Sequence, residues 1–181
     1  MERPRETLTD GVVTLRRWRA GDADLALRIV LESMDHLRPW MVWAEGYDAR
    51  AAAEFVATCE RNWTSGQTFD YQIVVSDVVV GCASLMRRGD PRGMETGYWL
   101  HPAHTGHGYA TTAAKALTDE AFRLSTVDSV EIVHEIENHP SEAVPRRLGF
   151  TRIGEAKMAT PPPVSKDGIG VVWRLERVTA A

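Results

Sequence analysis

The chain has 181 residues, a length suited to one domain around one core, 1–181. With 44% hydrophobic and 25% charged residues it is ordinary for a globular protein, and a formal net charge of −4 gives no general pull toward nucleic acid or an anionic membrane. No apolar run approaches the roughly 20 residues that span a bilayer, and the polar start Met1-Glu2-Arg3-Pro4-Arg5-Glu6 lacks the apolar segment of a signal peptide, so a cytoplasmic protein is expected.

Thr9-Asp10-Gly11 reads as a turn, and Val12 to Leu15 as a short strand that Arg16 to Arg19 continue. Gly21-Asp22 opens a helix with Leu25, Ile29 and Val30 on one face. Met34 to Glu45 is irregular, interrupted by Pro39 and rich in aromatics (Trp40, Trp43). Asp48 caps a second helix that runs to about Asn62 or Trp63, with Phe55, Cys59 and Trp63 as its apolar stripe. Ser65-Gly66 ends it. Strands follow over Phe69 to Val75 and Val78 to Leu85, joined by a tight Ser76-Asp77 link that lacks the usual glycine. Cys59 and Cys82 have no ligand-type spacing and read as reduced, buried thiols.

A polar turn over Arg87 to Arg92 leads to a fourth strand from about Met94. Its end, Thr96-Gly97-Tyr98-Trp99-Leu100-His101-Pro102, runs into Thr105-Gly106-His107-Gly108-Tyr109-Ala110, and a helical pattern over Thr111 to Leu124 follows. A glycine-containing turn that opens a helix presents unpaired N–H groups with partial positive charge, which suits a phosphate or pyrophosphate. A fifth strand, Ser129 to Glu135, precedes the loop Asn138 to Pro140. A short helix over Ser141 to Leu148 contains Pro145, which should shorten or distort it. Gly149 caps that helix, strands follow over Phe150 to Ala156 and Ile169 to Arg177 around a proline-rich loop (Ala159 to Gly168), and Val178 to Ala181 frays.

The run Thr105 to Ala110, together with Asn138…Ser141 and Leu148-Gly149-Phe150, resembles the GNAT superfamily of N-acetyltransferases. Leu37-Arg38-Pro39-Trp40, Tyr98-Trp99 and Asn138…Ser141 are similar to its branch of ribosomal-protein alanine/serine N-terminal acetyltransferases. Gly108 and Ala110 fit the family's Gln/Arg-x-x-Gly-x-Gly/Ala signature, and Thr105 departs from it. The resemblance implies an α/β (α+β) fold: a mixed, mostly antiparallel sheet of about seven strands, helices on both faces, and fourth and fifth strands that splay apart. It implies acetyl-CoA as acyl donor, with Leu100 and His101 along the pantetheine, the amides of Gly106, His107, Gly108, Tyr109 and Ala110 at the pyrophosphate, and Thr105 opening that cofactor-binding run. Asn138 belongs to a second run of the family, Asn-x-x-Ser/Ala, and counts with the cofactor-binding residues, and Arg146 and Arg147 can reach the phosphates or sit on a solvated helix face. A homodimer is compatible with the resemblance.

Amine acetylation needs a base, and a proton source helps the departing thiolate. Alternation along the fourth strand puts Glu95, Gly97 and Trp99 on one face and Thr96, Tyr98 and Leu100 on the other. Glu95 is the base if its face meets the acceptor, and otherwise a solvated strand-end carboxylate. His134 is a second candidate base, although it shares a face with Val130 and Ile132, as a core-edge histidine would. Ser141 can serve at the thioester sulfur or cap its helix. The tyrosine acid common in the family has no counterpart, since Pro145 stands there. Trp40 and Trp43 fit an acceptor wall, for a protein N-terminus or a small-molecule amine. His101, His104 and His107 do not share a face on a turn and lack a completing ligand, so no metal is expected. The rival to an enzyme is an acetyl-CoA-binding module without catalysis, which the departures at Thr105 and Pro145 keep open.

Overall fold

The computed structural model describes residues 2–178; Thr179 to Ala181, within the stretch expected to fray, lie outside the described residues. The strands are β1 (Thr7–Asp10), β2 (Val13–Arg17), β3 (Thr68–Val75), β4 (Val78–Arg87), β5 (Gly93–Leu100), β6 (Ser129–Glu135), β7 (Thr151–Lys157) and β8 (Ile169–Glu176). The helices are α1 (Ala23–Glu32), α2 (Met34–Leu37), α3 (Ala49–Ser65), α4 (Tyr109–Arg123) and α5 (His139–Arg147). The strands form one sheet in the order β1-β2-β3-β4-β5-β6-β8-β7. Among the described residues only the β5–β6 pairing is parallel.

Several elements arise from local chemistry that the sequence displays. The Asp48 carboxylate accepts the Ala51 N–H at 2.8 Å and so caps α3. Gly66, at φ 77°, closes the same helix in the left-handed conformation. Ser76 and Asp77 both take positive φ, 48° and 63°, as the turn favoured by strand twist requires, so this hairpin forms without glycine.

Three boundaries differ from the sequence expectation. Thr7–Asp10 is a strand, making eight in all among the described residues, because it gains a partner in β2 through Leu8↔Leu15 and Thr9↔Thr14; its own pattern carries little apolar alternation. One turn of helix, α2, interrupts the segment read as irregular and buries Leu37. The last helix starts at His139, with Pro140 in its first turn where the missing N–H costs nothing, and Asn138 rather than Ser141 is its cap. Pro145 sits inside α5 without ending it: Leu148 still donates to Val144 at 3.1 Å.

Two layers of side chains cover the sheet. On one face α4 lays Ala113, Ala114, Leu117 and Ala121 against Leu85, Met94, Leu100, Val130 and Ile132. The alanines let the helix approach closely, and Leu117→Ala here would cost about 2–5 kcal/mol. On the other face α1 and α3 enclose Trp18, Ala26, Val56, Cys59 and Cys82, with Trp99 packed against them.

The site is positioned by a defect in the sheet. β5 pairs with β6 only over Gly93–Glu95 against Ser129–Glu131. Beyond that point Thr96–Leu100 keep β4 as partner and Ile132–Glu135 keep β8, so the strands part. Gly81 holds β4 close to the divergent end of β5: a Cβ there would lie 2.2 Å from the Trp99 carbonyl oxygen.

Candidate active site

The cleft between β5 and β6 has a polar backbone edge. His101 N–H donates to the Val80 carbonyl at 2.8 Å, on the β4 side. Alternation then turns the N–H and C=O groups of Thr96, Tyr98 and Leu100 toward the cleft. Leu100 is thus on the strand edge, while the His101 ring is drawn into its own turn, where Nδ1 accepts the Ala103 N–H at 3.2 Å.

At the end of β5 a short 3-10 turn (Pro102–His104) leads to the glycine loop. Gly106 and Gly108 adopt φ 78° and 81°, a region that a side chain enters at a cost, and Gly108 is the cap residue of α4. Thr112 N–H makes the first helical bond, to the Gly108 carbonyl at 3.0 Å. The amides from Gly106 through Thr111, Tyr109 and Ala110 included, donate to no protein acceptor among the described residues. The Thr105 hydroxyl is spent on the Pro102 carbonyl at 2.9 Å, so it shapes the loop. The exposed His107 ring stacks on Tyr109 at 5.4 Å between centroids. This row of free amides at a helix start fits a pyrophosphate.

A cavity of about 710 Å³ opens beside the cleft, mostly apolar and aromatic, walled by Trp40, Trp43, Tyr47 and Trp99. Trp43 meets Tyr47 at 5.8 Å and Trp99 at 6.1 Å. Met158, Thr160 and Pro162 of the proline-rich loop close one side. Glu95, Ser141, Asn138 and His134 also line it, so the structure brings together all three predicted catalytic residues, Asn138 and both tryptophans. Glu95 is three-quarters buried, with Arg88 at 3.7 Å. Burial pushes its carboxyl up from the ordinary value, Arg88 pulls it partly back, and Glu131 adds a smaller upward push.

His134 differs from the expectation. It is 4% exposed; its Nε2 accepts the Trp173 indole N–H at 3.0 Å and its Nδ1–H donates to the Glu135 carbonyl at 2.9 Å. Both ring nitrogens are occupied, which fixes the tautomer and leaves no lone pair for a substrate proton. Arg147 is exposed and does not line the cavity, whereas its neighbour Arg146 pairs with Glu142 and lies over Trp173. Asn138 caps α5 through Oδ1, which accepts the Ser141 N–H at 3.2 Å. Among the described residues no three His, Cys, Asp or Glu side chains gather as metal ligands.

Two residues were missed from the sequence. The Tyr98 hydroxyl, from β5, lies 3.4 Å from Ser141 Oγ and donates to the Ser141 carbonyl at 3.2 Å. Burial pushes its phenol up to about 12, the Ser141 contact opposing. Strand alternation already separated Tyr98 from Glu95, but Ser141 lies 43 residues on. Asp70 lines the cavity at 9% exposure and accepts from Ser84 Oγ at 2.6 Å. Burial pushes its carboxyl up, against the Ser84 and Cys59 hydrogen bonds. The signal was present: a lone carboxylate in a strand whose other residues are apolar, aromatic or the neutral Gln72, Phe69-Asp70-Tyr71-Gln72-Ile73.

Known proteins share this fold. A protein named as a ribosomal N-acetyltransferase, YdaF of Bacillus subtilis strain 168, is 24% identical over 148 residues, 80% of this chain and 81% of its own. RimL, titled as a ribosomal L7/L12 alpha-N-protein acetyltransferase in complex with coenzyme A, superposes with a TM-score of 0.86 at 20% identity, covering 94% of this chain and 98% of that one. Mycobacterium smegmatis RimJ, solved with a CoA disulfide, gives 0.84 at 25% identity over 97% and 90%. The profile of the Acetyltransferase (GNAT) domain matches residues 13–151, a span that holds the splayed strands, the glycine turn and the capped last helix, and the chain belongs to that family.

Proposed function

We propose that the chain, as one domain over 1–181, is an N-acetyltransferase that moves the acetyl group of acetyl-CoA directly to a primary amine within a ternary complex. The observation that carries this reading is the succession of a free amide row at the start of α4, an open edge on β5 and, on the cavity beside that edge, the largely buried Glu95 carboxylate. Acetyl-CoA supplies an activated acetyl group as a thioester. The amides of Gly106 to Thr111 would hold its pyrophosphate, and the groups of Thr96, Tyr98 and Leu100 on the β5 edge its pantetheine.

Glu95 takes the proton of the attacking amine. Its burial supports this role, since a carboxylate whose pKa burial raises binds the proton more firmly than an exposed glutamate. The Ser141 hydroxyl, beside the Tyr98 phenol, is the proton source for the sulfur as the carbon–sulfur bond breaks. Both cysteines are buried and their thiols pushed upward, chiefly by burial, which disfavours an acyl carrier and supports direct transfer.

The names of the relatives favour a protein N-terminus as acceptor, and the enclosed aromatic cavity favours a small amine. Thiol release from acetyl-CoA, followed with the purified chain over a panel of peptide N-termini and small amines, tests the activity. Release with no panel member above the background without amine would count against it. Coenzyme binding without any turnover would mark the non-catalytic module instead.

A further inference from the structure

Asp70 is a buried carboxylate without a counter-charge. It sits in the centre of the sheet on the face covered by α1 and α3, 9% exposed. Its contacts are the neutral Ser84 hydroxyl and the Cys59 thiol; no Arg, Lys or His lies against it among the described residues. Buried ionised groups are almost always paired, because an isolated charge loses its hydration without recompense. Asp70 lines the acceptor cavity, and so do Trp18 and Phe55, which meet edge to face at 5.5 Å. Aromatic faces and a carboxylate are the surroundings in which an ammonium is held in aromatic cages. The other charged groups on the cavity wall are Glu54, paired with Arg61 at 2.5 Å, Glu135, and Glu95, which Arg88, the one arginine of that lining, faces at 3.7 Å.

Sheet register fixes the distance from this point to the reaction. Asp70 pairs with Ser84, and Ser84 pairs with Gly97, so Asp70 lies two strands from β5; Glu95 is two residues along β5 on the same face. At strand spacings of about 4.8 Å and rises of about 3.4 Å per residue, the two Cα atoms are roughly 12 Å apart. With both side chains leaning inward, the groups they bind are separated by roughly 6–10 Å, the reach of about four to seven methylenes.

We infer that Asp70 is the anchor for a second cation on the acceptor, so that the preferred acceptor is a diamine or an equivalent dication with its reacting amine at Glu95 and its far ammonium at Asp70. This rests on the acetyltransferase reading and narrows its substrate class. An ammonium at that point provides the opposite charge that the fold itself withholds from the carboxylate.

The test compares 1,5-diaminopentane and 1,6-diaminohexane with pentylamine and hexylamine as acceptors, on wild type and on Asp70→Asn, which keeps the shape and the Ser84 bond. Wild type should favour the diamine by at least about tenfold in kcat/KM, and the ratio should fall to about one in the variant. Equal use of both amines by wild type, or an unchanged ratio in Asp70→Asn, overturns the assignment. Calorimetric binding of the same four amines to wild type alone serves if the variant does not fold, and absence of any diamine preference there also overturns it. Asp70-dependent diamine binding without acetylation would refute the activity and leave the subsite standing; acetylation of monoamines and diamines alike would do the reverse.

Discussion

The Tyr98 hydroxyl donates to the Ser141 carbonyl, and that carbonyl is the one Pro145 leaves without a helical donor. In an α-helix the N–H of residue 145 would bond the oxygen of residue 141, and proline has none. Strand β5 thus completes helix α5 at the point where both border the cleft. The same phenol lies 3.4 Å from Ser141 Oγ.

Removing that hydroxyl should therefore be felt twice. Tyr98→Phe is expected to cost about 1 kcal/mol in stability, a Tm lower by about 2–4 °C. Its loss in kcat should shrink when acetyl-CoA is replaced by an acetyl thioester of a more acidic thiol, because a better leaving group needs less proton donation. A kcat defect that ignores the leaving group would assign Tyr98 to structure alone.

Glu95→Gln should lower kcat by about 10²- to 10⁴-fold while the coenzyme still binds. The base works ionised, and burial raises its pKa, so the acidic limb of the kcat/KM profile should lie above the ordinary glutamate range. Arg88 holds that pKa down, so Arg88→Gln should move the limb to still higher pH. His134→Gln tests the rival base: it should lower stability through the lost Trp173 contact and leave the limb where it was.

Gly108→Ala probes the amide row without steric conflict, since nothing lies within 4 Å of the added methyl. The residue would still have to hold φ near 81°, at about 1–2 kcal/mol. Calorimetry should show coenzyme binding weakened by up to about tenfold, with a KM for the amine little changed.

Asp70→Asn should stabilise the fold at alkaline pH. Burial raises the Asp70 pKa, so the folded state favours the neutral acid. Stability from that preference is full below the unfolded value, about 3.9, and is lost as pH rises through the folded value. The variant cannot ionise, so its Tm should exceed that of wild type at pH 8 and the gap should close toward pH 4. A wild type more stable than the variant at both pH values would mean that Asp70 is held ionised by groups within the fold.

The element order and the glycine turn were legible in the sequence because each rests on local signals: alternation, a cap, a φ that only glycine takes easily; the splay of β5 from β6 came from the family resemblance alone. The period of two along β5 put Glu95 and Tyr98 on opposite faces of the strand but did not show that both border the cavity. Strand β1 was not legible, since four residues with one buried leucine acquire their identity from a partner. For His134 the sequence left a base and a core-edge histidine open, for a related reason. A histidine's chemistry depends on what occupies its two nitrogens, and one occupant is Trp173, 39 residues away on β8. Asp70 is the converse case: its residue type was visible, and its depth and lack of a cation depend on how α3 seats over the sheet.

Among the described residues, three residue pairs join β5 to β6, and within the sheet they are the one seam between the block β1–β5 and the block β6–β8, which α4 otherwise spans. A pantetheine seated along β5 would work as a non-peptide strand, welding two half-sheets across their seam. Coenzyme would then do more than raise a melting temperature. It should turn two loosely linked opening units into one, seen as hydrogen-exchange rates on β6 and β8 slowing to match those of β4 when coenzyme is added.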